Sequence, residues 1–164
     1  MPLPYGFPAD LADAIRAGRK GMTIRPISRR RHAAPGETVA LYQGLRTRDC
    51  RLIARVVVLA NEPIVLQFDR PSIRVSGYAA DVDMFAQFDG FADFAGMSNY
   101  WAELRDKAIR AGRPVHPPDR FEGVGIRWLP WAPGIFGPIV PEALDRPQMA
   151  AKARPDTVLP GLFD

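Results

Sequence analysis

At 164 residues and 47% apolar, the chain is long enough for one domain with a real core and too apolar to be disordered. No apolar run approaches the roughly 18 residues of a membrane helix, and the start "MPLPYGFPAD" lacks the basic and apolar regions of a secretory signal. One cysteine, Cys50, excludes an internal disulfide, and with two histidines it offers no metal-ligand cluster, so the expectation is a cytoplasmic, metal-free protein without a cofactor.

The net charge of +4 is unevenly spread. Residues 1–60 hold eleven Lys/Arg against four Asp/Glu, and the rest hold eleven against fourteen. A basic first third suits a nucleic-acid partner. It also fits a general bias toward arginine, of which there are nineteen against three lysines.

In chain order, the first predicted element is a short helix from Asp10 to Ala17, capped by Asp10, with Leu11 and Ile15 on one face. Gly18 suits its end. "MTIR" reads as a brief strand closed by Pro26, with Met22 and Ile24 on one side and Thr23 and Arg25 on the other. "SRRRHAAP" is a basic loop, "TVALY" a strand, and "CRLIARVVVLA" a second, longer strand in which Cys50 is a small buried apolar residue. "PSIRVSGY" supplies a further strand. Two helices then flank a break at Asp89-Gly90, the second presenting Met97, Trp101, Leu104 and Ala108 to the core. "FEGVGIRWL" is a last strand with Val124, Ile126 and Trp128 on one side. Seven prolines after residue 129 argue against regular structure in 130–164, although Trp131, Ile135, Phe136, Leu159, Leu162 and Phe163 make this extension too apolar for a simple linker. Its end, "DTVLPGLFD", is suited to latch onto the chain's own domain or to bind a protein partner.

Among the nineteen arginines, Lys20 stands out, because a lysine can be tuned to take or give a proton and an arginine cannot. Lys20 lies three residues before Thr23. A threonine hydroxyl needs a neighbouring base to become a nucleophile, and Arg25 or a backbone N–H of Gly21 is placed to hold an oxyanion. The same residues also read simply as surface charges, a strand threonine and an aspartate opening a turn. Arg29 and Arg30 suit phosphate or a solvated loop equally well. Tyr42 and Arg46 flank a glycine turn where a base can stack and a phosphate be held.

The pieces "F-x7-I-x2-GRK-x2-TIR", then "PGETVALYQGLRT", then "DGF" before a tryptophan helix, together resemble the ASCH domain over about residues 5 to 129. The resemblance implies an α+β fold built on a PUA-like small β-barrel flanked by helices (1–129) with a Pro-rich extension (130–164). It implies binding of RNA or a modified pyrimidine nucleoside, with no membrane partner. In one branch it implies hydrolysis of the amide of acylated cytidine by a lysine, a threonine and a downstream glutamate. Lys20 and Thr23 match by spacing, as base and nucleophile, and Asp89 stands where that glutamate would be, as the orienting acid. The expected binding residues are Arg19, Arg25, Arg29, Arg30, Tyr42 and Arg46. A non-catalytic RNA-binding or regulatory module, and a ribonuclease, are the alternatives.

Overall fold

The computed structural model describes residues 1–137. Eight strands and three helices form in the order β1 (Leu3–Phe7), α1 (Ala9–Arg16), β2 (Met22–Pro26), β3 (Thr38–Gln43), β4 (Arg51–Val57), β5 (Ala60–Gln67), β6 (Ser72–Val75), β7 (Tyr78–Ala80), α2 (Val82–Phe88), α3 (Phe94–Arg110) and β8 (Arg120–Arg127). They build two open sheets. One has three strands ordered β1-β3-β4, with β1 parallel to β3, and the other has five, ordered β2-β8-β5-β6-β7 and antiparallel throughout.

The barrel expectation is therefore corrected: the fold is α+β, but neither sheet closes or curls into a barrel. The reason lies between β4 and β5. The Val58 N–H donates to the Glu37 carbonyl beside the first sheet, and the next N–H, of Leu59, donates to the Arg127 carbonyl in the second. The chain thus changes sheets in one step, and β4 and β5 never pair. The predicted single strand "CRLIARVVVLA" is consequently divided between two sheets, and Cys50 lies exposed ahead of it rather than buried.

Two apolar layers follow from strand alternation. On one face of the five-stranded sheet, Met22, Ile24, Ile64, Leu66 and Phe121 meet Phe85, Phe88, Phe94 and Met97 of the helices. On the other, Ile126 and Trp128 meet Tyr5, Phe7, Val39, Leu41 and the α1 residues Leu11 and Ile15. Trp131, Ile135 and Phe136 join the first layer, whereas the predicted latch "DTVLPGLFD" lies outside the described residues.

Two helix details depart from expectation. Asp10 sits in the first turn of α1, and Pro8 precedes the helix without any side-chain cap. On α3 only Met97 of the four predicted core residues is fully buried; Leu104 is 37% exposed.

Candidate functional site

The loop between α1 and β2 is clamped beside the end of α2. The Gly21 N–H donates to the Phe88 carbonyl at 2.9 Å, and a Cβ on Gly21 would lie 2.6 Å from the Phe88 ring. That close approach sets Lys20 directly over Asp89, the residue ending α2. Lys20 Nζ donates to Asp89 Oδ1 at 2.6 Å and to the Asp89 carbonyl at 2.7 Å. The second bond satisfies one of the carbonyls a helix leaves unpaired, at the end where its dipole favours a cation. Gly90 completes the arrangement: its φ is +96°, and a Cβ there would lie 3.2 Å from the Lys20 stem.

Both charges are withdrawn from water, each residue being only 3% exposed. Burial pushes the Lys20 amine below its ordinary value, opposed chiefly by Asp89, and pushes the Asp89 carboxyl up, opposed by Lys20. The two groups are thereby brought toward a common proton affinity.

Thr23 and Arg25 stand on the adjoining wall, on the opposite side of β2 from the buried Met22, as alternation requires. Arg25 Nε donates to Thr23 Oγ1 at 3.1 Å, and Arg25 Nη2 donates to the Gly6 carbonyl at 3.0 Å. The guanidinium also lies over the rings of Tyr5 and Phe7, at 5.4 and 5.5 Å from their centroids. Cation–π contact and carbonyl bonding together hold it in an apolar setting. Thr23 accepts from Arg25, so its own hydroxyl proton remains available to the cavity.

These groups line a partly open cavity of about 150 Å³, together with Phe7, Phe91, Tyr100 and Trp101. Burial pushes the Tyr100 hydroxyl pKa up, with Arg25 opposing. The structure thus brings together Lys20, Thr23, Asp89 and Arg25 in one cavity. It does not bring Arg19, Arg29, Arg30 or Tyr42 to it. Arg19 is exposed on the far side of the α1 turn, and Arg29 and Arg30 are exposed on a loop pinned by the His32 Nε2 contact to the Pro26 carbonyl. Tyr42, next to last in β3, is half-buried beside the bulge after Leu41. Arg46 lines a neighbouring, more open cavity that shares Gly6, Phe7 and Arg25 with this one.

Sequence reasoning missed Phe7, Phe91 and Tyr100, which come from β1, the α2–α3 turn and α3 and meet only in the folded chain. Trp101 and Leu104, predicted as core, form the wall between this cavity and a more apolar groove along α3 and residues 114–118. That groove lacks a buried ion pair such as the one between Lys20 and Asp89. Among the described residues no group of three His, Cys, Asp or Glu side chains is placed to hold a metal, and no helix is long and apolar enough to cross a membrane.

No family model and no curated protein matches the chain. Among solved structures it is similar to a protein from Enterococcus faecalis V583 described as family DUF984. The two share 15% identity with a TM-score of 0.49, over 77% of this chain and 78% of that one. None of these comparisons supports the ASCH resemblance, RNA binding or hydrolase activity.

Proposed function

We propose that this cavity takes a pyrimidine ring bearing an exocyclic acylamino group and that the protein hydrolyses this amide. The observation carrying the reading is the buried Lys20–Asp89 pair on the wall beside Thr23 and Arg25. Two desolvated charges with opposed pKa shifts in a cavity are the arrangement that proton transfer requires, and they are costly to keep for packing alone. A volume of about 150 Å³ is what holds a benzene-sized ring in a protein interior, and the aromatic lining suits a planar guest. The choice of an acylated cytosine rests on the resemblance of the "GRK-x2-TIR" segment.

In this reading Thr23 Oγ1 bonds to the carbonyl carbon, and its proton passes to the Lys20–Asp89 pair. Arg25 faces the resulting oxyanion. The carbon–nitrogen bond breaks as the pair returns the proton to the leaving amine. Water then attacks the threonyl ester, freeing the carboxylic acid and restoring the hydroxyl.

The test is turnover of N-acetylcytidine, followed as released cytidine. Wild type is expected to release it, and Lys20→Ala and Thr23→Ala to slow kcat by about a hundredfold or more. One observation favours a second reading, in which the cavity only binds. Lys20 spends its two hydrogen bonds on Asp89, and Thr23 Oγ1 is held by Arg25 rather than by the lysine. Cytidine binding by wild type without any turnover would establish that binding role and remove the hydrolase.

A further inference from the structure

The cavity beside Lys20 has room for a ring with a short exocyclic group and little else, and the neighbouring, more open cavity, which shares Gly6, Phe7 and Arg25 with it, offers room for the rest of a larger ligand. The fold places Arg46 there. β1 and β3 run parallel with Phe7 opposite Gln43, so the turn after β3 begins beside the end of β1. The Gly44 N–H donates to the Phe7 carbonyl at 3.2 Å, and Thr47 ties the turn back on itself, its hydroxyl donating to the Gly44 carbonyl at 2.6 Å. Leu45 packs where Gly6 has no side chain: a Cβ on Gly6 would lie 2.8 Å from Leu45 Cβ. Arg46 follows with a φ of 69° and lines the open cavity together with Arg25.

Arg25 and Arg46 are the charged residues lining this cavity, and no carboxylate joins them there. Arg25 commits Nε and one terminal nitrogen to Thr23 and Gly6. Among the described residues its other terminal nitrogen meets no protein acceptor, and the Arg46 guanidinium meets none either. Two guanidinium groups with donors to spare, at the mouth of a ring-sized cavity, match a phosphate ester, whose oxygens accept paired N–H bonds.

We propose that the ligand is a nucleotide, with its ring in the cavity beside Lys20 and its phosphate held by Arg25 and Arg46 in the more open one. The inference rests on the pyrimidine reading given above but not on catalysis. It is tested by calorimetric titration of wild type and Arg46→Ala with cytidine, with cytidine 5′-monophosphate and with inorganic phosphate. Wild type should bind the monophosphate about tenfold or more tightly than cytidine, the worth of one charge-assisted hydrogen bond. In Arg46→Ala that preference should shrink to about threefold or less, with cytidine affinity unchanged. Equal affinity for cytidine and its monophosphate in wild type overturns the phosphate site while leaving the ring cavity intact. A preference undiminished in Arg46→Ala overturns the role of Arg46. Binding of inorganic phosphate as tight as that of the monophosphate shows an anion site without a ring. If neither nucleoside nor nucleotide binds, the pyrimidine reading and this inference fall together.

Discussion

Asp89 neutralises a buried ammonium, and its removal shows what that ammonium costs. In Asp89→Asn, Lys20 keeps its burial and loses its main opposing charge. Breaking one side of such a pair is expected to destabilise the fold by about 3–5 kcal/mol. Lys20 titrates in the folded chain below its ordinary 10.5. Between those two values the unfolded chain binds more protons, so stability rises with pH across that window. Urea midpoints of the variant, taken relative to wild type, should climb as pH rises toward 10.5. A gap that widens instead would show that Lys20 is not the buried cation. At this scale much of the site was legible. Lys20, Thr23 and Arg25 occupy a few residues of one turn and strand, where alternation tells which side chains share a face. Phe7 and Tyr100 could not be found that way, because β1 and α3 approach β2 only through packing of distant elements.

Among the elements, β3 is entered through a tight polar brace. Arg31 donates both terminal nitrogens to Glu37, at 2.7 and 2.8 Å, and the Ala34 N–H donates to the same carboxylate at 2.7 Å. The hydrogen bonds from Arg31 are the largest influence and that from Ala34 the next, and together they lower the Glu37 pKa to about 2. The stability this confers is present above the ordinary carboxylate value near 4.5 and is lost as pH falls toward about 2. An NMR titration should find Glu37 near 2 in wild type and shifted toward 4.5 in Arg31→Ala. An unchanged value would mean that the brace does not persist in solution. The strands themselves were unequally legible. Alternation marks β2 and β3, whereas "PSIRVSGY", expected as one strand, is turned from β6 into β7 at Ser76–Gly77, both at positive φ. β5 was hidden, since "NEP" breaks the pattern. Pro63 is tolerated there because β6 has already turned away: its first partner is Ile64, and Pro63 supplies only its carbonyl, to the Ser76 N–H.

For the whole molecule, the apolar periodicity announced a sheet protein with helices but could not tell a closed barrel from two open sheets, because both bury the same alternating faces. What decides is the change of sheet at Val58 and Leu59, a backbone event with no side-chain signature. The residues just after β8 belong to the fold, and Ile135, 1% exposed in the layer with Phe85 and Met97, tests how firmly. Ile135→Ala is expected to cost about 2–5 kcal/mol, read as a lower urea midpoint with an unchanged slope. A loss within about 0.5 kcal/mol, the range of surface substitutions, would show that this segment contributes no stability. The pairing of β2 carries one further consequence. Its partner in the sheet is β8, with Met22 opposite Arg127, and Gly21 accepts from the Trp128 N–H. During synthesis, Lys20 and Thr23 leave the ribosome about a hundred residues before the strand that fixes them. Every residue lining the cavity has therefore been made before the strand that pairs with β2, and the site is complete in sequence before it can be complete in structure.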